Sequence, residues 1–494
     1  MSVEHPPSLA AFFVFNPTLG EEETEGRKNL FFYPDTDSNS QKDYIGLTEG
    51  IINFTRDFSP DKPCEALRCE KTRHSFYECE PDFWMVLIMN NPYVFKGRNS
   101  TQPVYLEDEL GDSTLQAIVK RTYATFRMFN GSMANIAKKE SMESLKVRLR
   151  KFMLSFIPTI DFARVGLSLD IRGFSFMPVN RNSFLTTQFI VNTVMTSFPH
   201  VCSCGMMYDR KLIWSGLDQE DMFFLYLLDQ KNMASFYDYV YSDSNAPHKE
   251  ERKNSKISGS KLEDSILTQK KVGFIVKEGS RATPVFLQTY GWMQKRLAIF
   301  RFYKITFFMV LEDVAESSNK EVYDEMEAMI KPELEKLDTA LVRQGQQDSK
   351  ASDSYRFLYF NALNLALVST VTEESGMTIA PETIKLIRKI HKDFQVNAWK
   401  GYDQLKQKDE TKKSEGTNEK KTSVSKTDTI GTTIGTPIHV AVKTKSDGWL
   451  VGSKASQTQR EFFVLVDHKN ANLTTIQEEV NRLARSYFAK IFMH

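Results

Sequence analysis

At 494 residues the chain is too long for one ordinary core, and roughly two to four domains are expected. Its 41% hydrophobic and 26% charged residues are those of a soluble globular protein, and 12% aromatic content led by 36 Phe favours packed sheets. A formal net charge of +1 argues against broad electrostatic binding to nucleic acid, which needs a strongly basic face.

The chain starts MSVEHPPSLAAFFVF, with no basic stretch ahead of its apolar run and with Pro6-Pro7 inside it, unlike a signal peptide. No apolar window of about 18 residues follows anywhere, so no transmembrane helix is expected. No lipidation box is visible at either end. A cytoplasmic protein is the expectation, and sequons such as Asn53-Phe54-Thr55 and Asn130-Gly131-Ser132 are then chance matches. Five cysteines, odd in number and few for the length, fit the same compartment.

In chain order, AFFVFN (11–16) and NLFFYP (29–34) read as strands around an acidic turn, and DYIGLTEGIINFTRDF (43–58) as an amphipathic helix. Ile45, Ile51, Ile52 and Phe58 are expected to face the sheet. CEALRCEKTRHSFYEC (64–79) and DFWMVLIMNNP (82–92) add strands. Helices over 112–139 and 142–157 follow, with apolar positions such as Leu115, Val119, Phe126 and then Leu145, Leu149, Phe152. CGMMYD and KLIWSGL (204–217) form a hairpin, DQEDMFFLYLLDQ (218–230) a helix, and KKVGFIVKEG with RLAIFRFYKITFFMVL further strands. A helix over 319–343 closes this group, with Pro332 kinking it or starting its second half. SYRFLYFNAL and a helix at 382–398 open the last group. There HVAVKTK and GWLVGSK pair across Ser446-Asp447-Gly448, followed by the strand REFFVLVD and a helix on Ile476, Val480, Leu483, Tyr487 and Ile491. Residues 242–270 and 403–437 are polar and lack the apolar surface to offset ordering, so they read as disordered insertions. Their Lys excess would attract anionic membrane weakly, but solvated loop is the expectation.

Strands that follow one another as hairpins, with helices before and after, indicate an α+β fold rather than a parallel nucleotide-binding one. Three domains are expected, over 8–160, 170–345 and 353–494, each burying one sheet face under its helices.

Chemistry is sparse. Phosphate-cradling loops, H-E-x-x-H and G-x-S-x-G are all absent. The eight His are scattered, and the acid–His neighbours Asp467-His468 and Pro247-His248-Lys249-Glu250 sit at a strand end and in an insertion. Neither offers the rigid surroundings that general-base work needs. Cys64, Cys69, His74 and Cys79 recur every five residues, and Cys69-x4-His74-x4-Cys79 resembles the tail of a zinc knuckle. The fourth ligand would fall on Ala66, and five-residue steps on a strand alternate faces, so three ordinary thiols and a surface His are expected instead. No metal, cofactor or catalytic residue is expected.

The stretch DRKLIWSGLDQEDM (209–222) carries four carboxylates. Asp209 and Arg210 suit a tight hairpin turn. Asp218 stands at a helix N-cap, Asp221 in the capping-box position, and Glu220 against the helix dipole. All therefore read as scaffold.

The same stretch, Tyr208 to Met222, resembles the signature hairpin of the Ccz family of vacuolar fusion proteins. Phe15-Asn16-Pro17-Thr18-Leu19-Gly20, Phe32-Tyr33-Pro34, Gly46-Leu47-Thr48-Glu49 with Phe54-Thr55-Arg56, Phe83-Trp84-Met85-Val86 and Asn470-Ala471-Asn472-Leu473 are similar in the same order. The resemblance implies three longin-like domains in series, antiparallel sheets with helices packed on them. It implies one half of a Mon–Ccz guanine nucleotide exchange factor for the late-endosomal Rab GTPase (Rab-seven). In that family the first longin domains pair, distort the GTPase switch loops and disturb the Mg²⁺ site. A third large subunit in animals and peripheral recruitment to late endosome, lysosome or vacuole membranes are also implied.

The GTPase- or partner-facing surface is expected on the first domain: Tyr44, Glu49, Thr55, Arg56 and Asp57 on the first helix, and the strand end Asn90, Asn91, Pro92. Gly46 and Gly50, one turn apart, would admit another helix closely. Two alternatives stay open: a longin-type tether or adaptor for the GTP-bound form, and an exchange-factor subunit for another Rab of the lysosome-related-organelle (Hermansky–Pudlak) type.

Overall fold

The computed structural model describes residues 4–20, 27–60, 64–95, 102–106, 110–162, 173–229, 272–275, 282–315, 319–352, 356–370, 382–395, 438–444, 448–455, 459–466 and 472–488. Both expected insertions, 242–270 and 403–437, lie outside them. The chain forms two compact units, residues 1–170 with 177–344, and residues 171–176 with 345–494. The fold is α+β: three large sheets, antiparallel but for one short pairing, with helices packed on them.

The first sheet has the order β3-β2-β6-β5-β4, from β2 (Ser8–Phe15), β3 (Asn29–Tyr33), β4 (Ala66–Arg68), β5 (Thr72–Glu80) and β6 (Phe83–Asn90). A small sheet joins β1 (Glu4–His5), β7 (Tyr93–Phe95) and β8 (Pro103–Tyr105). Strand alternation sends Phe13, Phe15, Trp84, Val86 and Ile88 to one face, where Ile45 and Ile52 of helix α1 (Ser38–Phe58) cover them. Phe12, Val14, Met85, Leu87 and Met89 point the other way and are equally buried. Helices α2 (Asp112–Asn130), α3 (Met133–Lys139) and α4 (Met142–Phe156) follow, and α2 and α4 pack on the strands. Both faces of the sheet are thus covered, not one as expected.

Two local differences have plain causes. Helix α1 starts five residues before the expected Asp43, because Asp37 caps it by accepting from the Ser40 N–H at 2.9 Å; the polar run SNSQK shows no apolar period. The expected helix over 112–139 is broken at Gly131, whose φ of 83° ends α2. Glu80 then fixes the start of α3. Its carboxylate accepts from Tyr123 Oη and the Met133 N–H, both at 2.7 Å, from Ser132 Oγ at 2.7 Å and from the Ala134 N–H at 2.9 Å.

The second sheet, in the same unit, has the order β11-β10-β15-β14-β12, from β10 (Val201–Tyr208), β11 (Lys211–Ser215), β12 (Val272–Phe274), β14 (Gln294–Phe302) and β15 (Ile305–Leu311), with β13 (Ala282–Phe286) also on β14. Helices α5 (Arg181–Ser197) and α7 (Lys320–Ser352) cover one face through Ile190, Val194, Met326, Ile330 and Leu337. Helix α7 is longer than the expected 319–343 and carries Pro332 within it. Helix α6 (Gln219–Leu228) lies on the other face, where Gly205 leaves room for Met222: a Cβ there would sit 2.9 Å from the Met222 sulfur.

The second unit has the sheet β18-β19-β20-β16-β17-β9, from β9 (Phe174–Ser175), β16 (Arg356–Asn361), β17 (Ala366–Ser369), β18 (Ile438–Lys443), β19 (Trp449–Ala455) and β20 (Arg460–Val466). Strand β9, expected in the second domain, instead pairs in parallel with β17. Helix α9 (Leu473–Phe488) buries Ile476, Val480 and Leu483 on one face. Helix α8 (382–395) packs Phe394 on Phe463 on the other. The turn 445–447, Ile491 and the side chain of Tyr487 lie outside the described residues.

Beneath α8 is a buried charged group. Glu461, with no exposed surface, meets His391 Nδ1 at 2.6 Å, Gln395 Nε2 at 3.0 Å and Lys454 Nζ at 3.4 Å, and Lys454 also donates to the Phe394 carbonyl at 3.0 Å. Removing the anion strands a buried cation, a change that costs about 3–5 kcal/mol. Glu461→Ala should therefore lower unfolding free energy by roughly 3 kcal/mol in a urea titration, whereas Glu333→Ala, from an exposed i,i+3 pair with Lys336, should change it by under about 0.5 kcal/mol.

Candidate functional site

Metal chemistry finds little support in the placement of the spaced cysteines. Cys69 is exposed, Cys64 Sγ faces the Ala66 carbonyl at 3.5 Å, and Cys79 Sγ faces the Tyr77 carbonyl at 3.6 Å. His74 is not the surface residue expected. It lies on β5 between β4 and β6, is 6% exposed, meets Thr72 Oγ1 through Nε2 at 3.1 Å, and burial holds its pKa below the ordinary imidazole value. Among the described residues no three His, Cys, Asp or Glu side chains converge as metal ligands would. Asp467-His468 and 247–250 lie outside the described residues.

The carboxylates of 209–222 are structural, but not all in the expected way. Asp209 and Arg210 take φ of 47° and 63°, the left-handed pair that a two-residue hairpin turn demands. Asp209 pairs with Lys304 at 2.9 Å, and Arg210 Nε donates to the Asp229 carbonyl at 3.2 Å. Asp218 occupies the N-cap position of α6, yet its side chain accepts no capping bond. Asp221, expected as a capping-box acid, is 1% exposed and turned away from the cap. It accepts from the backbone N–H groups of Gln288 at 3.0 Å and Thr289 at 2.8 Å, and from Thr289 Oγ1 at 2.5 Å. A local cap competes with three tertiary donors, and the tertiary set wins.

Helix α1 carries the surface of interest, and its expected residues divide. Tyr44 is half-buried, its ring 5.8 Å from Phe32. Glu49 is held by Lys28 at 2.9 Å, and Thr55 Oγ1 donates back to the carbonyls of Ile51 and Ile52. Arg56 reaches Glu78 at 3.4 Å with its guanidinium 5.5 Å from the Trp84 ring centre, while Asp57 is exposed beside it. The strand end is a different place. Asn91 is 1% exposed and donates to the carbonyls of Cys69 and Glu70, and Pro92 is buried. Asn90 donates to Ser8 Oγ at 3.0 Å, and it lies six strand residues from Trp84, about 20 Å. Arg56 and Asn90 are therefore not brought together.

What the spacing offered and the expected set omitted is the outward stripe of α1. Leu47, Phe54 and Phe58 are 56%, 64% and 76% exposed, and the two rings pack together at 4.9 Å. Phe58 was expected against the sheet. It stands six residues past buried Ile52, which rotates it about 120° off the inward line. Gly46 and Gly50 share this outer side, with nothing within 4 Å of where a Cβ would stand. The signal was the repeat 47, 50, 54, 58, a second helical stripe beside the inward one.

Comparison with known proteins gives the family. Residues 9–131 match the family model described as the first longin domain of INTU, CCZ1 and HPS4, and residues 351–483 match the third longin-like domain of Intu. The chain is 30% identical to a vacuolar fusion protein CCZ1 homolog of Nematostella vectensis, covering 98% of both chains. It is 28% identical to those of Xenopus laevis (99% of this chain, 98% of the relative) and Dictyostelium discoideum (98% of both). The chain belongs to this CCZ1 family of vacuolar fusion proteins, and its fold is longin-like. No helix among the described residues is long and apolar enough to cross a membrane.

The two acids of the signature stretch should separate in thermal or urea unfolding. Asp221→Ala leaves three donors without their acceptor and should cost about 2–3 kcal/mol. Asp218→Ala should fall within about 0.5 kcal/mol of wild type.

Proposed function

We propose that this chain is the Ccz-type subunit of a two-protein guanine nucleotide exchange factor, acting with a Mon partner on a late-endosomal Rab GTPase of the Rab-seven type. The outward stripe of α1 carries this reading. Three large apolar side chains and two bare glycines on one exposed helix face make a surface suited to another folded chain. Similarity to CCZ1 homologues along the whole length supports the choice of partner and GTPase. Such a factor forms and breaks no covalent bond. It works by holding the nucleotide-free GTPase more tightly than the loaded one, so ordinary surface residues suffice.

In this reading Leu47, Phe54 and Phe58 face the Mon partner. Arg56 and Asp57, at the end of the same helix, face the GTPase. Asn91 and Pro92, being buried, shape the strand end, and Asn90 alone of that trio has side-chain surface to offer. Recruitment to late endosome, lysosome or vacuole membranes belongs to the assembled complex, with a third large subunit in animals.

The test follows release of a fluorescent GDP analogue from the GTPase in the presence of the purified Mon–Ccz pair. Acceleration is expected, along with preferential capture of the nucleotide-free GTPase. No acceleration, or preference for the GTP-bound form, would favour a tether, and acceleration of a different Rab alone would reassign the target. Phe54→Ser with Phe58→Ser should weaken the heterodimer at least about tenfold without lowering the melting temperature. Asp57→Ala should slow GDP release while leaving the heterodimer intact.

A further inference from the structure

Asp221 is bonded to a turn that in turn reaches the first sheet. Its three donors belong to Gln288 and Thr289, at the start of the 3-10 turn Gln288–Tyr290. Two backbone bonds continue that turn: the Gly291 N–H donates to the Gln288 carbonyl and the Trp292 N–H to the Leu287 carbonyl, both at 2.9 Å. Gly291 and Trp292 each take φ of 62°. A bulky L-residue adopts this left-handed conformation only where its surroundings fix it. Here the conformation brings the indole against Arg127, whose guanidinium lies 3.8 Å from the ring centre. Among the described residues no carboxylate pairs with Arg127.

Arg127 belongs to α2, the helix of the first sheet. One turn on, Gly131 ends α2 with its bare face against Phe286 of β13; a Cβ there would stand 3.3 Å from the ring, at a φ of 83° that already favours glycine. Along its length α2 is also tied to the first sheet: near its start Gln116 Nε2 donates to the carbonyls of Glu65 and Phe76 at 2.6 and 2.7 Å, and one turn before Arg127 the Tyr123 Oη donates to Glu80.

We propose that Asp221, the 288–292 turn and Trp292 form a latch that couples the second sheet to the first through Arg127. The latch sets one pose of the first sheet, and with it of α1, against the second. This coupling follows from contacts within one compact unit and stands whether or not the chain promotes nucleotide exchange.

Hydrogen exchange on the purified full-length chain tests it. Trp292→Ala and Arg127→Gln should each speed exchange of the last turn of α2 and of residues 287–293 about tenfold, with β14 and β15 unchanged. The double variant should be no faster than Trp292→Ala alone, since both remove one interaction. Asp221→Asn should produce the same change at the Arg127 end of α2, although it touches neither Arg127 nor Trp292. Should that variant not fold, Thr289→Val removes one of the three bonds and carries the same expectation. Additive effects of Trp292→Ala and Arg127→Gln, or an unchanged last turn of α2 in the Asp221 or Thr289 variant, would overturn the latch.

Discussion

Helix α2 is the constraint on which the first unit depends. It lies between two sheets, packing on β5 and β6 on one side and on β13 on the other. Ten of its residues are buried, and four of those are polar: Gln116 and the threonines Thr114, Thr122 and Thr125. A helix buried on both sides must satisfy such groups without water. The hydroxyls of Thr122 and Thr125 donate to carbonyls one turn back, and the Gln116 amide nitrogen donates across to the first sheet. Arg121 shows what the position demands: burial pulls its pKa down to about 10, against an opposing effect of Tyr226. One helix thus serves as the wall of two cores, which is why two sheets form a single compact unit while the third sheet, with its own two helices, forms another.

The second unit solves the same problem with charge. Its sheet buries Glu461 and Lys454 under α8, where a purely apolar layer would also have packed. The acid engages His391 and Gln395, one turn apart on α8, and the lysine engages the Phe394 carbonyl of the same helix. These directional bonds fix how α8 sits along the strands, which apolar contacts such as Phe394 on Phe463 leave free to slide.

Much of this was legible in the sequence, for identifiable reasons. Strands such as FWMVLIMN declare themselves by apolar runs, and the hairpin at Asp209-Arg210 by a turn between two such runs. Helix α9 follows from Ile476, Val480 and Leu483 at helical spacing. The misses share a cause. Asp221 sits three residues after an N-cap, so the local rule assigns it to the cap; its true donors are 67 and 68 residues away and leave no local trace. Asn91 looks like an exposed strand end, yet it satisfies the Cys69 and Glu70 carbonyls more than twenty residues back. His74 looks like a surface residue until β4 pairs beside it. Phe58 was misplaced by grouping it with the inward Ile45, Ile51 and Ile52, when it belongs to a second stripe on the same helix.

That second stripe bears on what the protein is for. A longin-type sheet needs only the inward stripe of α1, because Ile45 and Ile52 suffice to close its core with Phe13, Phe15 and Trp84. Folding alone gives no reason for Leu47, Phe54 and Phe58 to be apolar, and solvent exposure of such side chains is unfavourable and invites aggregation. Nor does local geometry require glycine at 46 and 50, where neither φ nor a close neighbour demands it and each weakens the helix by roughly 1 kcal/mol relative to alanine. Bare backbone flanked by large apolar side chains makes sense when something packs into it: the glycines let a second element approach closely, and the rings close around it. The features of α1 that disfavour the isolated chain are the ones an assembled complex would use.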